Sequence, residues 1–509
     1  MLIRNKIVRD TVFLTITQLF LDSMALLLNI FITRRLGTSA IGIFSLTGSF
    51  MVLIGMISNG NAFLCISRLV SEEYGKKCGN PEKILLYGLI MCSILSIISG
   101  GAIFLFSEKI CIGFFKSATM CRPVRLLAVT LPIGAYSACF KGYFNAGRTV
   151  KITAFADVLE FAVKSAVIAV SAFVLKTATD GAVCNIMVSG IIAGNLTSLI
   201  TLAAIYVHKR ENNKHRPSIT LAKYISLALP IMAGSCLTSF LSSANDALIP
   251  LTLRQAGSSV KESLSQFGVF EAIVIPTIFF PSVVMCSLSG IVVSETARAK
   301  ANRIEGRIKH IAESLIEKTM IFSVISAFVL IRFGVEIGRI QGGGELAGRM
   351  ITIISPVIPF IYLEIVLEAM IKGMGMQAFS SLNYLAEYVV RISIVLIFVP
   401  RIGFYGIVLS YYASNIVGNV SRIIKIFRTV RPRVNFFKII ILPVIYALLT
   451  MESIELLFGV MGIKVEKTAC MAVYTLLWLG LYLFMILGWK MKKIGIYEKS
   501  EQMFNNTDC

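Results

Sequence analysis

The chain has 509 residues, of which 56% are hydrophobic and only 15% are charged, and its mean hydropathy is +0.80. Soluble domains carry about 25% charged residues, so this composition excludes a soluble protein and predicts one that crosses a membrane many times. The net charge of +21 does not indicate a nucleic-acid partner, because Lys and Arg occupy short segments between apolar runs, where they orient helices and contact anionic lipid headgroups.

About fourteen apolar runs are long enough to cross a bilayer, since a span needs about 20 mostly apolar residues. Inside the hydrocarbon each run must be helical, because only a helix satisfies its own backbone groups there. The first run is as long as a full span, so we expect it to be retained and not cleaved as a signal. The predicted fold is an all-α polytopic membrane protein. The runs cover residues 11–33, 40–64, 83–106, 124–144, 152–175, 181–207, 223–249, 266–293, 314–333, 350–371, 380–400, 404–427, 436–459 and 468–488.

Basic residues predict which ends of these helices face the cytoplasm. If the N-terminus is cytoplasmic, the even-numbered connections and the C-terminus are cytoplasmic as well. The three most basic segments, at 209–223, 297–310 and 421–438, then all fall on the cytoplasmic side. We therefore expect a multi-pass protein of a bacterial cytoplasmic membrane with both termini inside.

The two halves of the chain share landmarks in the same order, which indicates an internal repeat. TRRLG at 33–37 corresponds to LRQAG at 253–257, and GNLTSLI at 194–200 corresponds to GNVSRII at 418–424. Each repeat holds six spans, and an even number gives both copies the same orientation in the membrane. The predicted domains are a six-helix bundle at 1–208, a basic cytoplasmic linker at 209–222, a second parallel six-helix bundle at 223–430, two additional helices at 431–490 and a polar cytoplasmic tail at 491–509.

At these landmarks the chain resembles the polysaccharide and lipid-linked oligosaccharide flippases that include the stage V sporulation protein B group. That family belongs to the multidrug/oligosaccharidyl-lipid/polysaccharide (MOP) exporter superfamily. The resemblance covers nearly the whole chain and implies a transporter with fourteen spans. It is carried by RRLGTSAIGIFSL at 34–46, NGNAFLCISRLVSEEYG at 59–75, LPIGAYSACFKGYFNAGRT at 131–149, ALPIMAGSCLTSFLSSANDALIP at 228–250 and SPVIPFIYLEIVLEAMIKGMGMQ at 355–377.

The first span differs from that of the peptidoglycan-precursor flippases of the same superfamily. Those proteins have arginines within this span that are taken to meet the substrate diphosphate. Counting back from Gly37, the matching positions here are Asp22 and Leu28, and only Arg34 fits the pattern. The difference favours the sporulation-type branch.

A flippase must carry an anionic diphosphate-sugar headgroup across about 30 Å of hydrocarbon, which calls for cations and hydrogen-bonding groups along a hydrated cavity. Arginine suits phosphate because its planar fork makes bidentate bonds. In the alternative interpretation the arginines reach the lipid headgroups, and the asparagines hold helices together. The phosphate candidates are Arg34, Arg35, Arg68 and Arg254, and the sugar candidates are Asn59 and Asn245.

Ionisable residues inside spans are costly to insert and therefore face a cavity or a partner. Glu364, Glu368 and Lys372 step by four along one helix face, where they either line the substrate cavity or make a polar helix contact. Asp22 and Asp246 lie on the first helices of the two predicted bundles. These two carboxylates are the candidates for binding a coupling ion.

Two further pairs of opposite charge have the spacing of neighbours on one helix face. Glu160 and Lys164 lie four residues apart, and Glu387 and Arg391 repeat that spacing in the equivalent span of the second half. The pattern predicts two ion pairs within helices, with either a structural or a functional role.

The sequence thus predicts a flippase that moves a lipid-linked oligosaccharide, polysaccharide or cell-wall precursor by alternating access, and not an enzyme. The first rival is a multidrug/cation antiporter on the same scaffold. The second is a membrane glycosyl polymerase, which the short outer loops without histidine do not favour.

Neither a metal nor a cofactor is expected, because the eleven cysteines form no CxxC pattern and no GxxxxGKS/T nucleotide loop is present. The expected driving force is therefore an ion gradient, the membrane potential or the gradient of the lipid itself, and a proton or a sodium ion is the candidate coupling ion. The expected partners are a lipid-linked sugar substrate, anionic membrane lipids and enzymes of cell-wall or polysaccharide synthesis, but no nucleic acid.

Overall fold

The computed structural model describes residues 2–74, 80–115, 121–147, 149–174, 179–209, 220–462 and 468–505. Most of the predicted basic linker, residues 210–219, and the end of the predicted tail, residues 506–509, lie outside the described residues.

The described chain is a succession of helices without strands, so the predicted all-α class is confirmed. Short connections, such as Gly37 between the first two helices, leave little chain outside them. The helices are α1 Leu2–Leu36, α2 Thr38–Asn59, α3 Ala62–Tyr74, α4 Pro81–Ile110, α5 Cys121–Ala146, α6 Val150–Val174, α7 Asp180–Lys209, α8 Leu221–Gln255, α9 Val260–Val269, α10 Ile275–Phe279, α11 Val283–Ala301, α12 Glu305–Ile340, α13 Gly344–Ile354, α14 Ile358–Gly373, α15 Gln377–Ile402, α16 Phe404–Val430, α17 Leu442–Val460 and α18 Thr468–Asn505.

The described helices include twelve segments that are long and apolar enough to cross a membrane. Two further helices, α6 and α16, have 25 and 27 residues and correspond to the remaining two predicted spans. Large apolar side chains lie on the outside of the molecule, such as Leu105 at 79% exposure and Val460 at 83%. A surface of this kind needs lipid around it, and the chain is a multi-pass membrane protein.

At two places, a long helical run changes from α-helical to π-helical or 3₁₀ hydrogen bonding next to a proline. Between α9 and α11, a π-helical turn at Phe270–Val274 precedes Pro276, and a 3₁₀ turn at Phe280–Ser282 contains Pro281. A second 3₁₀ turn, at Ser355–Val357 between α13 and α14, contains Pro356. Because proline lacks an N–H and clashes with the preceding turn, the chain changes its hydrogen-bond spacing there instead of continuing as α-helix.

The helices form two compact units. The first unit comprises residues 1–283, 341–346 and 381–414, and the second comprises residues 284–340, 347–380 and 415–509. Helices α8 and α9 pack in the first unit. The repeat of six plus six spans stays a prediction.

In the first unit, two glycines allow α2 and α9 to approach closely. A Cβ atom on Gly42 would overlap the backbone carbonyl of Leu264, and one on Gly268 would overlap the backbone of Gly42. Either position therefore excludes any larger residue unless the helices separate.

We expect Gly42→Ala to destabilise the protein by about 1–3 kcal/mol, because the added methyl group has no space between two backbones. Gly55→Ala is the matched control, since a Cβ on Gly55 of the same helix meets no atom within 4 Å. Thermal unfolding of the purified variants in detergent measures the difference. Equal melting temperatures for the two variants would show that α2 and α9 are not in this close contact.

The second unit has its own core, formed by α12, α17 and α18. Trp478 is fully buried there, and its indole Nε1 donates to the Ala447 carbonyl at 3.2 Å and to the Thr450 hydroxyl at 3.0 Å. The Tyr482 hydroxyl donates to the Ile321 carbonyl at 2.9 Å. Helices α17 and α18, which follow the predicted repeat, thus pack against α12 in the second unit.

Candidate functional site

In the first unit, polar groups surround Asp246, which is buried within the membrane-spanning helix α8. The Ser49 hydroxyl on α2 donates to Asp246 Oδ2 at 2.6 Å, and the Asn245 amide donates to Asp246 Oδ1 at 3.3 Å. Ser243 donates in turn to the Ser49 carbonyl at 2.8 Å. The carboxylate is therefore held between α2 and α8, as a costly group inside a membrane requires.

Asn245 leaves one acceptor unused beside this carboxylate. Its side chain is buried, and among the described residues its Oδ1 atom has no hydrogen-bond partner. Because a buried polar atom without a partner costs free energy, the atom marks a place where a ligand or water completes the site.

Glu271 and Arg391 complete a charged group that we name the acid–arginine cluster, made of Asp246, Glu271 and Arg391. Glu271 lies on the π-helical turn after α9 and interacts electrostatically with Asp246. Arg391 on α15 interacts electrostatically with both carboxyl groups. Two acids with one arginine carry a net negative charge when all three are ionised, so the cluster favours one additional proton or cation.

Arg391 is fixed in place by neighbours on α15 and α16. Its Nε donates to the Ser414 hydroxyl at 3.1 Å. Its guanidinium carbon lies 4.4 Å from the ring centre of Tyr411 and 5.3 Å from that of Tyr388. Guanidinium groups are attracted to aromatic faces, so these rings fix the position of the Arg391 cation.

The predicted ion pair of α6 is different in the structure. Glu160 pairs with Lys141 of α5 at 2.7 Å, and Asp157 pairs with the same ammonium group at 2.7 Å. Lys164 lies over the Phe161 ring at 5.1 Å and interacts electrostatically with Glu160. These pairs join α5 to α6 and do not act within one helix. In the second half, Glu387 accepts a hydrogen bond from the Asn383 amide at 2.9 Å.

The second unit contains a separate charged group, which we name the buried arginine network: Glu364, Glu368, Lys372, Ser380 and Arg422. Arg422 on α16 is 1% exposed, and it contacts Glu364 at 3.1 Å through Nη2 and Glu368 at 3.1 Å through Nε. Lys372 pairs with Glu368 at 3.2 Å, and the Ser380 hydroxyl also donates to Glu368. The predicted stripe on α14 therefore makes a polar contact with α16.

Sequence reasoning missed Arg422, because it was grouped with the basic segment at 421–438. Helix α16 continues to Val430, so Arg422 belongs to this helix, and it also falls inside the predicted run at 404–427. The repeat gave a signal that was not used. GNVSRII at 418–424 matches GNLTSLI at 194–200, which lies well inside the predicted span at 181–207.

Three of the four predicted phosphate candidates lie at helix ends. Arg34 and Arg35 are exposed in the last turn of α1, and Arg35 donates to the Phe173 carbonyl at 3.4 Å. Arg254, in the last turn of α8, donates to the Ser263 hydroxyl at 3.2 Å. Positions of this kind allow contact with either a substrate phosphate or a lipid headgroup.

The other predicted site residues make local contacts. Arg68 on α3 pairs with Glu72 at 3.2 Å on the protein surface. Asn59 ends α2, and its Oδ1 accepts from the backbone N–H of Asn61 at 2.8 Å. Asp22 on α1 accepts from the Gln18 amide at 2.8 Å.

Of the predicted site residues, the structure thus brings Asn245 together with Asp246 and joins the three residues of the α14 stripe. Within the described part of the chain, His, Cys, Asp and Glu form no group of three or more arranged to hold a metal ion.

The charged clusters lie in helices of a multi-pass membrane protein, where ionisable residues mark candidate functional sites. The fold of this chain is similar to that of transporters of the MOP superfamily. The chain is similar to the lipid II flippase MurJ in an inward closed conformation, with a TM-score of 0.67 and 15% identity over 95% of this chain and 100% of that chain. It is also similar to an inward-facing multidrug resistance transporter of the MATE family, with a TM-score of 0.63 and 16% identity over 81% of this chain and 95% of that chain.

By sequence, residues 7–256 of the chain match the model of the polysaccharide biosynthesis protein family. The chain is 21% identical to the stage V sporulation protein B of Bacillus subtilis (strain 168), over 74% of this chain and 75% of that protein. These findings confirm the family resemblance seen in the sequence.

Proposed function

We propose that this protein is a flippase that moves a lipid-linked oligosaccharide, polysaccharide or cell-wall precursor across the bacterial cytoplasmic membrane by alternating access. The proposal rests chiefly on the family match at 7–256 in a chain with a MOP transporter fold. Both termini are placed in the cytoplasm by the distribution of basic residues. On this proposal the protein carries its substrate unchanged and is not an enzyme.

The proposed substrate contacts follow from the chemistry of a diphosphate-linked sugar. Arg34, Arg35, Arg68 and Arg254 are assigned to the phosphate groups. Arg34, Arg35 and Arg254 lie at helix ends, where a headgroup enters or leaves the bilayer, and Arg68 is exposed within α3. Asn245 is assigned to sugar hydroxyls, because its Oδ1 is buried without a partner among the described residues.

Asn59 is also assigned to sugar hydroxyls, although its Oδ1 already accepts a hydrogen bond from the backbone N–H of Asn61.

Glu364, Glu368 and Lys372 are assigned to holding α14 against α16, since their charges are already matched by Arg422 and by each other.

The acid–arginine cluster is proposed to couple transport to a proton or sodium gradient. Asp246 was a candidate from sequence, and the structure adds Glu271 and Arg391 beside it. Asp22 lies elsewhere on α1 with a local hydrogen bond and stays the second candidate. One arginine balances only one of the two acids, so binding of a proton or cation would neutralise the cluster. Neutralisation would change the relative stability of the transporter's conformations, which is how a gradient could drive transport.

A multidrug/cation antiporter is the second candidate function. When both acids of the acid–arginine cluster are ionised, its net negative charge is suited to a cationic substrate, and a MATE family transporter has a similar fold. The two functions differ in what the protein carries, because a flippase acts on lipid-linked sugars and an antiporter acts on soluble cations.

Reconstituted vesicles distinguish the two. We expect undecaprenyl-diphosphate-linked sugar, but not a cationic dye, to cross vesicle membranes that contain the protein. Matched vesicles without protein give the background rate for each compound. Dye extrusion driven by a proton or sodium gradient, with no movement of the lipid-linked sugar, would establish the antiporter and refute the flippase.

A further inference from the structure

A groove runs along the outside of the first unit between α4 and α5. We name it the α4–α5 groove; its walls include Ile97, Phe104, Leu126 and Val129, and its volume is about 790 Å³. The groove exists because Gly100 and Gly101 present no side chains between these apolar walls. A Cβ on Gly101 would meet no atom within 4 Å, so the space above it is open.

One end of the groove is basic. Arg122 and Arg125, in the first turns of α5, line this end. Arg125 is held against α4, because its Nε donates to the Ser107 hydroxyl at 2.8 Å and its guanidinium lies 5.8 Å from the centre of the Phe104 ring. It also contacts Glu108 at 3.4 Å. Arg122 is exposed and has no carboxylate partner within the described residues, so the end of the groove keeps a positive charge.

The other end of the groove is polar but internally satisfied. The hydroxyl groups of Ser93 and Tyr136 form a hydrogen bond of 2.8 Å there. From Ser93 to Phe104 the helix rises about 16 Å, at about 1.5 Å per residue. This length is close to half of the roughly 30 Å hydrocarbon thickness. The groove is therefore long enough to cover one leaflet.

We propose that the α4–α5 groove binds one anionic phospholipid, with its phosphate on Arg122 and Arg125 and an acyl chain along the apolar walls. Charge complementarity selects an anionic headgroup, because arginine binds phosphate oxygens in a bidentate manner. The length of the groove, about 16 Å, matches an acyl chain that extends through one leaflet. This site is separate from the proposed transport cluster and does not depend on flipping activity.

Native mass spectrometry of the full-length protein in detergent tests this proposal. Phosphatidylglycerol and phosphatidylcholine are titrated in parallel, and we expect one phosphatidylglycerol to be retained preferentially. The double variant R122Q/R125Q should weaken phosphatidylglycerol binding about 30-fold, which corresponds to about 2 kcal/mol for two basic contacts at a membrane surface. R401Q is the charge control, because Arg401 is also an exposed arginine at a helix end.

A second variant tests the groove independently of its charge. Gly101→Leu should reduce phosphatidylglycerol binding by filling the groove, whereas Gly480→Leu should not, although both glycines face open space. Equal binding of the two phospholipids, or unchanged binding by R122Q/R125Q and Gly101→Leu, would overturn the proposal. Displacement of phosphatidylglycerol by an equal concentration of undecaprenyl phosphate would also overturn it, because the groove would then belong to the lipid carrier.

Discussion

Replacement of Arg422 by methionine is expected to destabilise the second unit by about 3–5 kcal/mol, the usual cost of removing one partner from a buried ion pair. Arg422 is 1% exposed, and its two contacts, Glu364 and Glu368, are only 27% and 19% exposed. Without the guanidinium, these carboxylates lose their buried cation inside the membrane. Thermal unfolding of the purified protein in detergent measures the loss.

Two further variants show whether the cost comes from the unbalanced charge. The triple variant R422M/E364Q/E368Q should recover much of the stability, because replacing a whole buried ion group costs far less than breaking it. Lys372→Met should cost less than about 1 kcal/mol, since Lys372 is half-exposed and solvent screens its pair. If Arg422→Met melted at the same temperature as Lys372→Met, Arg422 would not hold α14 to α16.

Asp246→Asn is expected to reduce gradient-driven transport about tenfold or more, equivalent to a barrier higher by about 1.4 kcal/mol. The amide has the shape of the carboxyl group and still accepts the hydrogen bond from Ser49, but it cannot bind a proton or balance a sodium ion. Glu271→Gln should have a similar effect, because it removes the second acid beside Arg391. Initial transport rates in vesicles at several pH values and sodium concentrations measure both variants.

The control for this experiment is Glu305→Gln, which removes an exposed carboxylate at the start of α12. It should transport at the wild-type rate and respond to the imposed gradients in the same way. Asp246→Asn activity that equals that of Glu305→Gln, across the whole range of pH and sodium, would rule out the coupling role.

The fold was predictable from sequence because long apolar runs in a membrane have only one way to satisfy their backbone. Asp246 was also predictable, since a lone acid in an apolar run is costly and therefore conspicuous. Its partners were not, because Glu271 and Arg391 lie on other helices and meet Asp246 only through tertiary packing. Helical spacing shows neighbours on the same helix and gives no information on which helices pack together.

The predicted pairing of Glu160 with Lys164 failed for the same reason. Glu160 and Lys164 have the spacing of an ion pair, but Lys141 from α5 reaches Glu160 at 2.7 Å. Arg422 was hidden because a basic loop and the end of a helix look alike in composition. Helix α16 ends at Val430, beyond Arg422, so Arg422 belongs to the helix and not to the loop that follows it.

The central claim is that the protein moves the headgroup of a lipid-linked sugar across the membrane. The most direct measurement places undecaprenyl-diphosphate-linked sugar in the inner leaflet of vesicles and follows its reaction with an impermeant reagent added outside. We predict a protein-dependent rate that rises with an imposed proton or sodium gradient and falls to near background in Asp246→Asn vesicles. A rate no higher than that of protein-free vesicles, under every gradient, would contradict the proposed function.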